Sequence, residues 1–248
     1  MPMAPTIMSP ITTNANIVEQ TVAHRLAAVR ARISSAEQRC GRPTAVVTLV
    51  AVSKTQPAAA VLAAYRAGQR DFGESYLQEA LNKQAALSDY EITWHFIGAL
   101  QSNKTRQVAQ HFSWVHSVDR LKTAARLNEQ RPAHLPPLNI CLQVNIGAEP
   151  QKAGVEPTHV PELAAQLQSL SRLRLRGLMA LPPPSEDFDQ QQDYFRQLRL
   201  AFEHLREHGY PVDTLSMGMS TDLEAAIAEG ATLVRIGTAL FGERPANR

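Results

Sequence analysis

Short apolar runs alternate with amphipathic stretches along nearly the whole chain. The runs lie at 46–52, 70–72, 92–97, 114–118, 138–145, 173–179, 213–216 and 233–236, and their lengths suit strands. Between them, 57–67, 76–86, 103–110, 119–130, 158–169, 188–208 and 221–229 read as helices. Ahead of the first run, Ile17 to about Arg39 carries Val18, Val22, Leu26, Val29 and Ile33 on one helical stripe, stopped by Gly41-Arg42-Pro43. A helix in every gap between eight strands predicts an all-parallel sheet with right-handed crossovers. Eight such units in 248 residues suit a closed (β/α)8 TIM barrel with an extra N-terminal helix. An open doubly wound sheet is the alternative. Residues 1–13, rich in Pro and Thr, read as a disordered tail, and 14–248 as a single domain. The proline-rich stretches Arg131 to Pro137 and Leu181 to Asp187 are too short to be interdomain linkers.

Composition narrows the partners. Lys and Arg number 25 against 23 Asp and Glu, and no basic run reaches five, so charge implies neither nucleic acid nor an anionic membrane. Arg172, Arg174 and Arg176 alternate with Leu173 and Leu175, as on the wet side of a strand. Cys40 and Cys141 form no CxxC or zinc-like spacing, and Cys141 sits in an apolar run as a small core residue, which fits a reducing cytoplasm. The N-terminus lacks the charged and apolar regions of a secretory signal. No stretch approaches the ~18 apolar residues of a membrane span.

Candidate chemistry collects at the carboxyl ends of the predicted strands, where barrel sites form. Lys54 ends the first strand, Val46-Val47-Thr48-Leu49-Val50-Ala51-Val52. An ammonium at the mouth of an apolar interior is desolvated, which favours the neutral amine that attacks a carbonyl to form a Schiff base. Alternatively its stem packs on the strand end while its head reaches water. After strand seven, Ser216-Met217-Gly218-Met219-Ser220-Thr221-Asp222 offers a glycine for close backbone approach and hydroxyls that cap the next helix. After strand eight, Arg235-Ile236-Gly237-Thr238 again places a hydroxyl residue behind a glycine. Adjacent loops of this kind mark the usual barrel phosphate position, although each alone is ordinary turn chemistry. Arg235, on the strand that closes against Lys54's, can meet a phosphate or donate to a heteroaromatic nitrogen.

Other residues carry two readings each. Glu74, Ser75 or Tyr76 can line the mouth beyond strand two. His95 reads first as a hydrogen-bonded core histidine, and Ser102 or Asn103 as a helix cap. Met179 ends strand six, where it either fills the core or packs on a flat ring. His204 and His208 lie one turn apart on a solvated helix face with no third ligand in view.

These segments coincide, in order, with the motifs of one family: Ala51-Val52-Ser53-Lys54-Thr55, Phe72-Gly73-Glu74, Trp94-His95-Phe96-Ile97-Gly98 with Leu100-Gln101-Ser102-Asn103-Lys104, Arg174-Leu175-Arg176-Gly177-Leu178-Met179, Ser216-Met217-Gly218-Met219-Ser220 with Asp222, and Arg235-Ile236-Gly237-Thr238. From about residue 15 to Gly242 the chain resembles the YggS/PROSC family of pyridoxal 5′-phosphate (PLP) homeostasis proteins, most of all its bacterial YggS branch. The resemblance implies a monomeric fold-type III barrel, like the N-terminal domain of alanine racemase. It implies PLP held as a Schiff base on Lys54, with its phosphate on Ser216, Ser220, Gly237 and Thr238 and its ring nitrogen facing Arg235. PLP-dependent apoenzymes are the implied recipients. One departure matters: the family usually reads Phe-Gly-Glu-Asn-Tyr, and here Ser75 replaces the asparagine, so cofactor affinity or spectrum is expected to differ. Ala99 stands where His or Pro is usual.

Two function classes follow. A racemase of the alanine racemase type needs a base on each face of the α-carbon, and an arginine opposite the ring nitrogen weakens the electron sink. Its second base comes from a further C-terminal domain, whereas this chain ends six residues after Gly242. Among the tyrosines, Tyr76 is the one near the expected mouth. A carrier that buffers and delivers PLP needs no second base, and is the expected function. A class I aldolase places its lysine on a later strand. Lys152, in Glu149-Pro150-Gln151-Lys152-Ala153-Gly154, is either an exposed loop lysine or a second aldehyde-reactive site.

Overall fold

A computed structural model describes residues 10–147 and 153–243. Eight strands pair in parallel and in sequence order: β1 (Thr48–Val52), β2 (Asp71–Glu74), β3 (Thr93–Phe96), β4 (Trp114–Val118), β5 (Leu138–Val144), β6 (Leu173–Ala180), β7 (Thr214–Ser216) and β8 (Leu233–Ile236). The sheet closes through β1 and β8, with Val50 opposite Arg235 and Ala51 opposite Ile236. This is the expected (β/α)8 barrel, closed rather than open.

Helix α1 (Pro10–Arg39) precedes the barrel. The outer layer is α2 (Ala58–Arg66), α3 (Leu77–Ala86), α4 (Thr105–His111), α5 (Leu121–Gln130), α6 (Val160–Leu167), α7 (Phe188–Glu207) and α8 (Leu223–Ala228). A four-residue helix, α9 (Thr238–Phe241), follows β8. It was not predicted, because four residues are too few to show a period. Strand β2 runs two residues beyond the predicted end at Phe72, since Glu74 is buried by pairing rather than by apolarity. Helix α1 begins at Pro10 rather than Ile17, so residues 10–13 of the expected tail are helical; residues 1–9 and Lys152 lie outside the described residues.

The alternation of side chains along each strand divides the barrel into two cores. Outward-facing Ala51, Phe72, Phe96, Ile140, Leu142 and Leu178 pack against the helices in a continuous apolar layer. Burying a phenylalanine such as Phe72 stabilises by roughly 1.5–3 kcal/mol. The barrel interior is different: beside Val50, Cys141, Met179 and Leu233 it holds His95, His116, Ser216 and Arg235, all buried. Barrels usually fill this space with branched aliphatic residues. Burial pushes the Cys141 thiol up to about 12, so it stays protonated as a small core residue.

Helix α1 docks by the predicted stripe. Val22, Leu26, Val29 and Ile33 are buried, although Val18 is exposed. Its Glu37 carboxylate accepts the backbone N–H groups of Ala45, Val46 and Val47 at 2.9, 3.0 and 2.8 Å, fixing the chain's entry into β1. Arg176 pairs with Asp213 at 2.7 Å and lies over the Trp114 ring. His204 and His208 are exposed, and the described residues contain no group of side chains arranged for a metal ion. No helix among the described residues is long and apolar enough to cross a membrane.

Candidate functional site

A cavity of about 280 Å³ opens at the carboxyl end of the barrel. Six residues singled out from the sequence line it: Lys54, Ser75, Ser220, Arg235, Gly237 and Thr238. They arrive from the ends of β1, β2, β7 and β8.

Lys54 sits in the turn just past β1, and both of its neighbours are tethered. The Ser53 hydroxyl donates to Glu74 Oε1 at 2.6 Å, while the Ser53 carbonyl accepts from Lys83 Nζ at 2.6 Å. The Thr55 N–H donates to Glu79 Oε1 at 2.6 Å, and Thr55 has a left-handed φ of 66°, rare for a β-branched residue. Lys83 bridges both acids, at 2.7 Å to Glu74 and 2.5 Å to Glu79. Burial pushes the Glu74 carboxyl above its usual range, and the Lys83 ammonium beside it pulls the other way. Glu74 therefore stands behind the mouth as an anchor for the lysine turn, not as a lining group. Tyr76 is exposed and is likewise not a lining residue.

Across the cavity, the loop after β7 is pinned from three sides. Asp222 Oδ1 accepts the Met219 N–H at 2.5 Å. Arg32, on α1, donates to the Ser220 carbonyl at 3.2 Å while pairing with Glu224 at 2.9 Å. Gln191, on α7, donates to the Thr221 carbonyl at 3.5 Å. Gly218 makes the turn at a φ of 95°, and a Cβ there would come within 2.7 Å of Ala226 Cβ. The two loops also meet directly, through the Ala239 N–H and Ser220 Oγ at 3.4 Å.

Arg235 forms the floor and is 4% exposed. Nη1 donates to the Ser216 carbonyl at 2.6 Å and to Ser216 Oγ at 2.7 Å, and Nη2 donates to the Ala180 carbonyl at 2.9 Å. Burial lowers its pKa to about 10, which leaves it a cation at neutral pH. Ser75 lies close to the segment that follows β3: a Cβ on Gly98 would lie 2.4 Å from the Ser75 carbonyl oxygen, so only glycine permits that approach.

The other three sequence candidates lie outside the lining. Ser216 is fully buried beneath the cavity, its hydroxyl engaged with His116 and Arg235. Met179 is 1% exposed in the interior, in register with Ser216. Gly218 shapes the loop from behind. Thr221, a cap candidate from the sequence, also lines the cavity, and Val52, Gln56, Ile97, Leu181, Met219, Phe241 and Gly242, not singled out as site residues, complete the wall. Val52 and Ile97 were findable, because alternation from Lys54 and His95 puts them on the inner face.

Residues 25–245 match the family described as alanine racemase, N-terminal domain. Over 224 residues the chain is 61% identical to a protein of Pseudomonas aeruginosa named pyridoxal phosphate homeostasis protein, spanning 90% of this chain and 96% of that one. The protein of the same name from Escherichia coli K12 is 54% identical over 226 residues, spanning 90% and 97%. The chain belongs to the pyridoxal phosphate homeostasis protein family. The structure of PipY from Synechococcus elongatus PCC7942 with PLP bound is similar at a TM-score of 0.78 and 41% identity, covering 89% of this chain and 100% of that one. Alanine racemase from Corynebacterium glutamicum is similar at a TM-score of 0.68 and 15% identity, covering 93% of this chain but 63% of the racemase. That second likeness shows the shared barrel fold alone. Family membership agrees with the motif resemblance and with the closed barrel.

Proposed function

We propose that the mouth of this barrel binds PLP and that the protein buffers and delivers it, acting as a monomer in a reducing cytoplasm. The observation that carries the reading is the convergence, on one cavity of about 280 Å³, of an amine, a buried guanidinium and two hydroxyl-bearing loops. PLP supplies an aldehyde that condenses with a primary amine, a pyridine nitrogen and a phosphate. Lys54 is the amine, held toward the cavity by the tethers on Ser53 and Thr55. Ser220, Thr221, Gly237 and Thr238 are the phosphate side. Arg235 meets the ring nitrogen as a donor only, so the nitrogen stays unprotonated and the ring withdraws electrons weakly.

That weak electron sink favours carrying over turnover. Among the described residues no tyrosine lines the cavity, so none of them sets a phenol opposite Lys54 as a second base. The relatives' shared name and the PLP-bound PipY structure support the same reading. PLP-dependent apoenzymes are the recipients this function requires.

The test loads the protein with PLP and incubates it with a panel of L-amino acids in deuterated water. A carrier leaves the α-hydrogen unexchanged and restores activity when mixed with an apoenzyme. Deuterium entering the α-carbon at a useful rate, or accumulation of D-amino acid, would overturn it.

A further inference from the structure

One feature of the interior reaches well beyond the cavity. Asp71, at the amino-terminal end of β2, takes part in a chain of side-chain hydrogen bonds that ends at Arg235. Asp71 Oδ1 is 3.0 Å from His95 Nε2, His95 Nδ1 is 2.9 Å from His116 Nε2, and His116 Nδ1 is 2.8 Å from Ser216 Oγ. Ser216 Oγ in turn accepts from Arg235 Nη1 at 2.7 Å. The members come from β2, β3, β4, β7 and β8, and all but Asp71 are buried. Asp71 keeps 29% of its side chain exposed and borders a separate cavity of about 390 Å³, beside Thr48 and Gln69.

The two ends fix the direction of every bond. A guanidinium only donates, and an ionised carboxylate only accepts. His95 must therefore carry its proton on Nε2, and His116 must do the same. The Ser216 hydroxyl donates to His116 while its oxygen accepts from Arg235. In the opposite sense the Ser216 hydrogen would point at a cation. Burial pushes both imidazoles below their usual range, with Arg235 and His95 adding to the effect at His116, so both rings are neutral as this order requires.

We propose that Asp71, His95, His116 and Ser216 form a positioning relay that orients Arg235 and, through it, sets the electronic state of PLP from the opposite end of the barrel. The proposal rests on the reading that Arg235 meets the ring nitrogen. The chain is no proton conduit, because the arginine keeps its proton. Its effect is orientation and polarisation. The direct acceptors of the buried guanidinium are two carbonyls and a hydroxyl, all neutral, and aligned hydrogen bonds strengthen one another in a poorly solvated interior. A barrel interior filled for stability alone would hold aliphatic side chains. Five polar groups in unbroken contact there are a departure of the kind found at functional sites.

The test begins with the apoprotein. Long-range ¹⁵N correlation spectra of the histidine rings should show His95 and His116 both neutral with protonated Nε2. Asp71→Ala should shift the His116 ring nitrogens, two links away, and displace the absorbance maximum of added PLP, while borohydride trapping at Lys54 proceeds to the same extent. Asp71→Asn, whose amide oxygen still accepts, should restore most of both signals. A proton on Nδ1 of either ring overturns the relay. So does an Asp71→Ala protein that is destabilised but keeps the wild-type His116 signals and PLP band, since that is a merely structural role. If Asp71→Ala does not fold, the wild-type tautomers and Asp71→Asn decide. Failure of the wild-type protein to take up PLP would instead sink the cofactor reading, and the apoprotein tautomers would still judge the relay.

Discussion

Behind Lys54 the support is ionic. Glu74, Lys83 and Glu79 come from one strand and the helix that follows it, and they grip the two residues flanking the lysine. Behind Ser220 and Thr238 the support is mainly shape: a glycine in the left-handed region, a carboxylate on a backbone N–H, and single side chains reaching in from α1 and α7. The difference suits the two tasks proposed for them. A tether that bonds and releases must present one atom repeatedly at the same place, which a buried salt-bridge cluster enforces. A phosphate cradle needs backbone brought close, which only glycine permits.

The ionic side should be the easier to break. Lys83→Met leaves Glu74 buried with its charge uncompensated, and should cost on the order of 3–5 kcal/mol of stability. Chemical denaturation would measure it, and adding Glu74→Gln should recover part of the loss. If the single variant is as stable as the wild type, the cluster does not hold the turn. On the other side, Gly218→Ala forces a Cβ into the left-handed region and against Ala226, for about 1–3 kcal/mol. It should weaken PLP uptake while leaving residual trapping at Lys54. A variant with unchanged uptake would separate Gly218 from the cradle.

The interior histidines sharpen the comparison through pH. His95 and His116 are held neutral by burial, His116 well below the usual 6.5. The unfolded chain takes up protons near that value and the folded chain does not. Stability is therefore full above about pH 6.5 and falls as the pH drops below it, by up to about 1.4 kcal/mol per pH unit for each histidine. Thermal melts from pH 7.5 downward check the slope, and His116→Gln should flatten it. An unaltered slope would show that acid sensitivity comes from other groups.

The barrel was legible because its strands are short apolar runs in strict alternation with amphipathic helices, a pattern that leaves few topologies. Lys54, Arg235 and Thr238 were legible because strand ends carry barrel chemistry, and glycine or hydroxyl residues punctuate them. The supports were not. Glu79 and Lys83 look like an ordinary i,i+4 surface pair until β1 is seen beneath them. Arg32 reaches Ser220 across most of the chain, and His116 shows no distinguishing neighbour in Trp114-Val115-His116-Ser117. Alternation places His116 inside, but nothing local says that Ser216 waits on the far wall. For Met179 the strand-end position leaves core filling and packing on a flat ring both open, and the strand register sets it in the interior beside Ser216.

The central claim is that Lys54 is the cofactor's tether. Wild-type protein and Lys54→Ala would be incubated with PLP, reduced with borohydride, digested and mapped by mass. The account predicts the pyridoxyl mass on the peptide containing Lys54 in the wild type. It predicts no adduct at that peptide in Lys54→Ala, which should still bind PLP weakly through the loops after β7 and β8. An adduct confined to another lysine, or none at all in the wild type, would contradict it.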